Sequence, residues 1–502
     1  MTQTKYINIS NNQAIALADI PVHDYGMFAG VNLDLMKDNH LRHCVSYFGY
    51  PVADKIKLIC CIADEELHEI FVSSSLVERD IEVPSFTAIN HNFEKFEREI
   101  HENFGIGYTD HPWLKPLRYA FDRADKDQRI ENYPFYQVDS EELHEVGVGP
   151  IHAGIIEPGH FRFTCNGEQI MHLEIQLGYQ NRGIEQLFLQ KKKLLERTTL
   201  AESIAGDTVV GHTTAFANLW ESLCGYAPDY SLDYARTLAL EMERLANHTG
   251  DLSGICADIA YQLGNAVYGR LRTPMVNFFQ EWGGNRLAKG LIRAGKMNYP
   301  FTNELAKRLG EVFEAYEPDF NEITEKLFNL PSALSRMEKT GVVTYGEVLE
   351  IGTVGMAARM SGLNRDIRSS HPNNLYGSID HKPVIKHHGD VYSRVQIRKT
   401  EIRQSIGYIK GLLQEVPEFK KPENLVFTPQ KGKFVISLVE GWRGEICHCA
   451  ITDEAGNLIK YKIKDPSFHN WMALAQSVRN NDISDFPICN KSFSLSYCGH
   501  DL

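Results

Sequence analysis

Two side chains with acid–base chemistry stand out in this sequence, His160 and Asp207. Histidine titrates near neutral pH, so His160 could relay a proton or hydrogen-bond an acceptor oxygen. Asp207 supplies a carboxylate that could pair with His160 or carry a proton. The alternatives are a histidine packed at a domain seam and an aspartate that faces solvent or caps a helix. The sequence leaves both alternatives open.

The cysteines predict less chemistry. Ten of them are scattered along the chain and none forms a C-x-x-C pair, which indicates reduced core residues in a cytosolic protein. Cys447 and Cys449 alternate within a predicted strand, so both thiols lie on one face. Two thiols are too few for a metal, and an iron–sulfur cluster needs about four thiolates at set spacing. We therefore expect no metal or cluster to be bound by this chain.

Composition excludes several classes of partner. The 502 residues are too many for one core, so two or three domains are expected. Lys and Arg total 52 against 65 Asp and Glu, a formal charge of −13 with no long basic run, so nucleic acid is not an expected partner. No apolar stretch reaches about 18 residues, and the N-terminus lacks an apolar signal core, which favours a cytosolic chain. A peripheral place on a membrane, through partner subunits, remains compatible with the sequence.

Residues 1–120 predict a mixed α/β domain. The apolar run 56–63 and the run 69–72 predict two strands joined by a short acidic turn. Apolar residues at spacings of three and four predict a helix over 92–104. Residues 121–148 are rich in charged side chains and predict a linker to the next domain.

Residues 149–502 predict a larger, mainly helical domain. A hairpin with an Asn-Gly turn at 166–167 opens it, and the last quarter adds peripheral β-hairpins. A break is expected inside the first long helix, at residues 247–250. The predicted long helices are 232–263, 304–327 and 393–413, and the predicted late strands are 434–439, 445–452 and 458–463. The whole chain is therefore predicted to be α+β.

A run in the N-terminal domain resembles a known family. Residues 96–106 read FEREIHENFGI, and His-Pro follows at 111–112. The E-R-E triplet, the aromatic-Gly-Ile triplet and the His-Pro pair fall in the register of the 30 kDa subunit of respiratory complex I. The resemblance implies an α/β domain of that type.

Further runs carry a second resemblance, spread over most of residues 147–502. They read GPIHAGIIEPGHFRF at 149–163, LGYQNRGIE at 177–185, RMSG at 359–362, DIR at 366–368, GDV at 389–391 and RGE at 443–445. This part resembles the 49 kDa subunit of complex I and, more closely, the large subunit of membrane-bound group 4 nickel–iron hydrogenases. The fused order, 30 kDa-like then 49 kDa-like, is that of the formate hydrogenlyase and hydrogenase-4 large subunits.

The hydrogenase resemblance fails at the metal ligands. Those enzymes hold nickel and iron with four thiolates from two C-x-x-C pairs, because soft sulfur donors suit these metals. The run Asp485-Phe486-Pro487 sets the register of the second pair and places its final aspartate on Asp501, whereas Asp465-Pro466-Ser467 lies too early. The four ligand positions then fall on Ala205, Thr208, Ser496 and Gly499, none of them a cysteine. Bound nickel–iron and hydrogenase activity are therefore not expected, and Thr208 and Ser496 either line a polar pocket or fill the space of lost ligands.

The resemblance to complex I implies a different use of the same place. Its 49 kDa subunit also lacks the thiols, and its vacated cavity receives quinone. In that family a His on the first hairpin and a Tyr on a following helix meet the quinone headgroup. His160 matches the His, whereas Gly206 stands where the Tyr would be. One of the two headgroup contacts is therefore expected to be missing.

Other charged residues gain a role only through the resemblance. Glu157 aligns with a proton-transfer carboxylate of the hydrogenases, and His212 with a hydrogenase histidine, for which a packed structural role is the alternative. Arg359 and Asp390 belong to a set that lines buried polar networks in this family. Ordinary ion pairing is the alternative, because a buried arginine needs a carboxylate partner. The set is Arg359, Arg365, Arg368, Arg394 and Arg398 beside Ser361, Asp366 and Asp390.

The resemblance implies a subunit of a membrane-associated complex I-like oxidoreductase, peripheral on the cytoplasmic side of the membrane. Its nickel-free cavity would receive a quinone-type acceptor beside a 4Fe–4S cluster held by a partner of the complex I 20 kDa type. Antiporter-like and anchor subunits in the membrane would couple electron transfer to ion translocation. NADH would bind elsewhere, because this chain has no Gly-rich dinucleotide motif.

Two alternatives stay open. The first is a catalytically silent structural or coupling subunit of an ion-transporting complex, which the glycine at position 206 favours. The second is residual metal binding through His160, Asp207 and His212.

Overall fold

The computed structural model describes residues 4–152, 156–419 and 427–502, so 153–155 of the run 149–163 lie outside the described residues. Helices hold 44% and strands 19% of the chain, with a sheet-based N-terminal domain before a mainly helical one. The predicted α+β class is therefore confirmed. None of the helices that the structure describes is long and apolar enough to cross a membrane.

The N-terminal domain is an antiparallel sheet packed against two helices. Its elements are β1 (Ile7–Ile9), β2 (Ile15–Ala16), β3 (Val22–His23), α1 (Tyr25–Met36), β4 (Arg42–Val52), β5 (Lys55–Asp64), β6 (Glu69–Glu78), β7 (Glu82–Pro84), α2 (Glu94–Phe104) and β8 (Gly107–Thr109). The main sheet has the order β1-β6-β5-β4, with the short β3 parallel to β6. The two predicted strands are confirmed as β5 and β6, and the predicted helix as α2. Gly105, in the left-handed conformation with φ 76°, ends α2.

A three-stranded sheet and a long run of helices begin the second domain. Its first elements are β9 (His144–Val148), β10 (His160–Asn166), β11 (Gln169–Gln176), α3 (Ile184–Gln190), α4 (Leu194–Ala201), α5 (Val209–Cys224), α6 (Tyr230–Asp258), α7 (Gln262–Gly283), β12 (Ile292–Arg293) and β13 (Lys296–Met297). The predicted hairpin is β10–β11. Strand β9 pairs with β10, so the predicted linker 121–148 ends as part of this sheet.

Shorter helices and a second sheet complete the domain. The elements are α8 (Asn303–Phe328), α9 (Pro331–Met337), α10 (Tyr345–Ile351), α11 (Met356–Arg359), α12 (Ile367–Ser370), α13 (Val391–Leu412), β14 (Lys433–Glu440), β15 (Glu445–Thr452), β16 (Leu458–Lys464), α14 (Ser467–Ser477), α15 (Phe486–Phe493) and α16 (Tyr497–Asp501). The predicted helices over 304–327 and 393–413 are confirmed as α8 and α13. The three predicted late strands are confirmed as β14, β15 and β16.

The break predicted at 247–250 is wrong, because α6 runs unbroken from Tyr230 to Asp258. Gly250 instead allows a neighbour to approach closely. A Cβ atom at this position would lie 2.7 Å from the side chain of Arg272 on α7. The glycine therefore permits tight packing of α6 against α7, at the cost of some helix propensity.

The sheet β14–β16 is buried between the domains, and does not lie at the periphery as predicted. Strand β2 from the N-terminal segment adds to its edge, with Ile15 opposite Phe434. One apolar cluster contains Ile59 of the N-terminal sheet together with Ile436 and Cys449 of the C-terminal sheet. The two predicted domains therefore share a core.

Candidate functional site

A pocket of about 310 Å³ opens beside the turn that precedes α5. We call it the Asp207 pocket. Gly206 and Asp207 line one side, and Glu157 reaches it from the segment before β10. Its other lining residues are Ile156, Arg443, Asn490, Lys491, Ser494, Leu495, Ser496, Tyr497 and Cys498. The structure thus brings together three predicted site residues, Glu157, Asp207 and Ser496.

An ion pair between Asp207 and Arg443 forms the charged wall of the pocket. The two guanidinium Nη atoms of Arg443 donate to the carboxylate of Asp207 at 2.7 and 2.6 Å, in a bidentate arrangement. Arg443 also donates to Thr208 Oγ1 at 3.0 Å, and its guanidinium lies 3.9 Å from the centre of the Trp442 ring. Burial works against the charge on Arg443, but Asp207 outweighs it and raises the pKa of Arg443. Thr208 is therefore fixed beside the pocket through its hydroxyl.

The backbone of Asp207 is fixed as firmly as its side chain. Trp442 Nε1 donates to the carbonyl oxygen of Asp207 at 2.8 Å, and Asn247 Nδ2 donates to the same oxygen at 2.8 Å. The carboxylate therefore faces the pocket from a held turn, with 42% of its side chain exposed. This geometry differs from the expected pairing of Asp207 with His160, because Arg443 takes that place.

Glu243 on α6 lies behind the pocket and was not predicted from the sequence. Its carboxylate oxygens accept from the backbone N–H groups of Val210 and Gly211 at 2.7 and 3.1 Å, at the start of α5. Burial raises the pKa of Glu243 to about 8, and the nearby Asp207 adds to the increase. A carboxyl group that holds its proton near neutral pH therefore lies next to Asp207.

The C-terminal wall of the pocket is a capped helix start. Ser496 is the N-cap of α16, and its Oγ accepts from the backbone N–H of Gly499 at 2.9 Å. Glu157 Oε2 accepts from the backbone N–H of Cys498 at 3.0 Å. Ser496 and Glu157 thus bind the first amide groups of α16 and leave their remaining oxygen surface toward the pocket.

The remaining two vacated positions are both closely packed. Ala205 is fully buried. At Gly499 a Cβ atom would lie 2.7 Å from the carboxylate of Asp465. That carboxylate accepts from His212 Nε2 at 3.0 Å, while His212 Nδ1 lies 3.1 Å from His448 Nε2. His212 therefore has the packed, hydrogen-bonded role that was its alternative.

His160 lies outside the Asp207 pocket. It begins β10 with its ring 5.1 Å from that of Phe135, and it is not among the described residues that line the pocket. Burial lowers the pKa of His160, and its Nε2 atom has no hydrogen-bond partner among the described residues. The hairpin still reaches the pocket indirectly, because the Tyr497 ring packs on Gly159. Within the described parts of the chain, no group of three or more His, Cys, Asp or Glu residues is arranged to hold a metal ion.

Comparison with known families adds the context for this geometry. Residues 31–135 match the family of the respiratory-chain NADH dehydrogenase 30 kDa subunit. Residues 264–435 match the family of the 49 kDa subunit of the same enzyme. The chain is a fused 30 kDa/49 kDa complex I-like protein.

Curated relatives of this complex I-like chain fall into two functional groups. Hydrogenase-4 component G of Escherichia coli (strain K12) is 27% identical over 80% of this chain and 72% of its own length. Formate hydrogenlyase subunit 5 of the same organism is 26% identical over 80% and 74%. The NADH-quinone oxidoreductase C/D protein of Phocaeicola vulgatus is 25% identical over 86% and 89%. The resemblance to both the hydrogenase and the complex I branches is therefore confirmed.

Arg359 and Asp390 lie away from the Asp207 pocket in this complex I-like chain. Arg359 pairs with Glu401, Glu440 and Asp366 at 2.7, 2.8 and 3.2 Å. Asp390 is the N-cap of α13. Neither residue is among the described residues lining the pocket.

The expectation that buried arginines find carboxylates holds for only part of the predicted set. Arg368 pairs with Asp366 at 2.7 Å, and Arg398 pairs with Asp251 at 2.9 Å. Arg365 and Arg394 make no ion pair with any residue in the described ranges, and donate to backbone carbonyl groups instead. Burial lowers the pKa of each of these two to about 10.

Proposed function

We propose that this chain is a subunit of a membrane-associated complex I-like oxidoreductase whose Asp207 pocket receives a quinone-type acceptor without nickel. The observation that carries the proposal is the pocket itself, at the place where the hydrogenase relatives would hold their metal. Its volume of about 310 Å³ lies within the range of roughly 300–1,000 Å³ that is usual for small-molecule sites.

The chemistry of the wall suits an oxygen-bearing acceptor. Arg443 and Thr208 offer N–H and O–H donors beside the carboxylate of Asp207. Glu243 lies behind them with a pKa of about 8, so it can hold a proton near neutral pH. A group that accepts electrons and protons at this place would have hydrogen-bond donors and a protonated carboxyl group close to it.

The donor set at the four vacated positions supports a nickel-free site. Ala205 supplies a methyl group and Gly499 supplies no side chain, while the hydroxyls of Thr208 and Ser496 are engaged with Arg443 and the start of α16. Soft metals such as nickel favour thiolate donors, and these four side chains do not fit that requirement.

The proposal includes partner subunits. Among the described residues, the cysteine thiols give no four-thiolate set for a cluster, so electrons would come from a 4Fe–4S cluster on a partner of the complex I 20 kDa type. Antiporter-like and anchor subunits would hold the assembly at the cytoplasmic face of the membrane and couple it to ion translocation. Their contact surfaces are part of the proposal, and relatives named as parts of such enzymes support it.

A second candidate function has its own observation. His160 lies outside the pocket, and Gly206 brings no side chain into it, so neither of the headgroup contacts implied by the complex I resemblance faces the pocket. This arrangement favours a structural or coupling subunit that performs no acceptor chemistry.

Quinone reduction by the intact purified complex separates the two functions. Gly206→Trp fills the pocket from a position where nothing lies within 4 Å of an added Cβ, and Gly30→Trp, also in open space, is the control. The proposal predicts that Gly206→Trp lowers quinone-dependent electron transfer by about tenfold or more while Gly30→Trp does not. His160→Ala should lower it less, because the ring lies outside the pocket. An intact complex that reduces no quinone would favour the coupling role.

A further inference from the structure

A second cavity, of about 270 Å³, lies where the N-terminal domain meets the helical domain. We call it the interdomain cavity. Helix α2, the segment 112–117, strand β11 and helices α10 and α14 form its walls, and His500 of α16 closes one end. It has no described lining residue in common with the Asp207 pocket, so it is a separate site.

The carboxylates that line this cavity already have partners. Each of them accepts from a nearby cation or hydroxyl: Glu94 from Arg98, Glu174 from Lys115, Glu347 from Thr344, and Glu350 from His91 at 3.6 Å. Their negative charge is therefore largely compensated before any ligand enters.

The unpartnered polar atoms of the cavity are on basic side chains. Lys95 Nζ makes no hydrogen bond or ion pair with any residue in the described ranges, and lies 5.9 Å from the centre of the Phe468 ring. His500 is 1% exposed, and its Nε2 atom has no partner, while its Nδ1 lies 2.8 Å from Asp501. His172 Nε2 is likewise without a described partner. Buried polar atoms are usually hydrogen-bonded, so this set requires an explanation.

The electrostatic field around these atoms is positive. Burial lowers the pKa of Lys95 to about 7, with Glu94 opposing the change and Arg98 and Arg118 adding to it. Burial also lowers the pKa of His500, and the charges of Lys95, Arg118, Arg98 and Lys462 lower it further. Glu99, which pairs with Arg118 and Lys462, is the nearest compensating carboxylate. Both shifts have the sign expected for basic groups that lack a counterion.

Apolar side chains form the rest of the cavity. Trp113 and Trp471 contribute aromatic surface, and Leu173 and Leu177 contribute aliphatic surface from β11. Lys115 Nζ lies 3.9 Å from the centre of the Trp113 ring, which helps to hold that indole in place. A ligand here would meet apolar walls along its body and basic groups at one end.

We propose that the interdomain cavity binds a small organic carboxylate, with Lys95 and His500 at the carboxylate group and Trp113 and Trp471 along an apolar body. The proposal does not rest on the function assigned to the Asp207 pocket. Because both domains contribute walls, a bound carboxylate would also stabilise their contact.

Calorimetric titration of the full chain with three probes tests the proposal. Benzoate carries the proposed charge and body, benzamide has the same shape without the charge, and inorganic phosphate has charge without the body. The expected result is that benzoate binds at least about tenfold more tightly than either of the others, because a charge-assisted hydrogen bond and apolar contact are both needed. Benzamide or phosphate binding as tightly as benzoate would overturn the proposal.

Variants of Lys95 locate the binding. Lys95→Met keeps the length and removes the charge, and should weaken benzoate binding by about tenfold or more. Lys95→Arg should retain it, and Lys289→Met, at an exposed lysine elsewhere, should leave it unchanged. Urea unfolding of each variant checks that the fold is kept. Benzoate binding equally well to Lys95→Met would contradict the assignment.

Proton uptake supplies a readout that a merely structural lysine would not give. An anion beside Lys95 favours its charged form, so binding near pH 8 should take up protons, and affinity should fall as pH rises above about 7. Calorimetry in buffers of different ionisation enthalpy measures this uptake. Binding without proton uptake, and without pH dependence between about 7 and 9, would overturn the role of Lys95.

Discussion

At the scale of single residues, the four vacated thiolate positions are not equivalent. Thr208 and Ser496 keep a hydroxyl that is used locally, on Arg443 and on the start of α16. Gly499 is crowded by the carboxylate of Asp465, which His212 holds in place. Gly206, next to Ala205, instead faces open space. The former metal site has therefore closed on one side and stayed open on the other.

This difference predicts opposite tolerance at two glycines. Gly499→Ala should lower the free energy of unfolding by about 1–3 kcal/mol, because the new Cβ would lie 2.7 Å from Asp465. Gly206→Ala is the matched control, and should change stability by less than about 1 kcal/mol because nothing lies within 4 Å of its Cβ. Urea unfolding measures both. Equal effects of the two substitutions would contradict the crowded geometry.

The pair of Asp207 and Arg443 predicts a measurable loss of stability. Asp207→Asn removes one carboxylate oxygen and the charge from a bidentate ion pair whose guanidinium is buried. The aspartate side chain is 42% exposed, so solvent screens the loss, and we expect about 1–2 kcal/mol. Asp380→Asn, in a pair with Lys382 at 3.8 Å on the surface, should cost less than about 0.5 kcal/mol. A smaller effect at Asp207 than at Asp380 in urea unfolding would refute the assignment.

At the scale of elements, the start of α5 depends on a carboxyl group from α6. Glu243 binds two N–H groups at that helix end, and its pKa is raised from 4.5 to about 8. Since the folded pKa is raised above the unfolded one, the stability that this group contributes is complete below about pH 4.5 and is lost as pH rises toward 8.

Glu243→Gln should therefore change the pH dependence of stability. Relative to the wild type, the variant should gain about 1 kcal/mol per pH unit between roughly pH 5 and 8, because glutamine has no proton to lose. Glu454→Gln, at an exposed glutamate, should follow the wild type. Unfolding free energies at several pH values measure this. Parallel pH profiles for Glu243→Gln and the wild type would contradict the raised pKa.

Elements with strong local patterns could be predicted from the sequence. The apolar periodicity of α2, α8 and α13 and the apolar strands β5 and β14–β16 were recognised because each pattern lies within the element. The break inside α6 was predicted wrongly, because Gly250 serves a contact with Arg272 that local sequence does not show. The pairing of β2 with β14 joins residues more than 400 positions apart, and no local pattern indicates it.

The candidate site was predicted in part for the same reason. Glu157, Asp207 and Ser496 were recognised through the family resemblance, which places them at one former metal site. Arg443 and Glu243 reach that site from distant positions, and only the motif containing Arg443 offered a signal. His160 was expected at the pocket, but β10 turns its ring toward Phe135.

At the scale of the whole molecule, the shared core between the two sheets predicts one folding unit. Ile436 of β14 packs in a cluster with Ile59 of β5, across the predicted domain boundary. Calorimetry of the full chain should show a single transition in which both domains unfold together.

Ile436→Ala tests this coupling. The substitution should destabilise the chain by about 2–5 kcal/mol and lower hydrogen-exchange protection in β5 as well as in β14. Leu263→Ala, at a side chain 53% exposed, is the control and should leave both strands protected. Loss of protection confined to β14 would show that the two parts unfold separately.

The central claim is that the Asp207 pocket receives a quinone-type acceptor. Labelling the chain in its intact complex with a photoreactive quinone, followed by peptide mapping, tests it most directly. The account predicts labels on the peptides around 206–207 and 490–498, removed by excess unlabelled quinone and by Gly206→Trp but not by Gly30→Trp. Labels absent from these peptides, or unchanged by Gly206→Trp, would contradict the acceptor role and leave the coupling role.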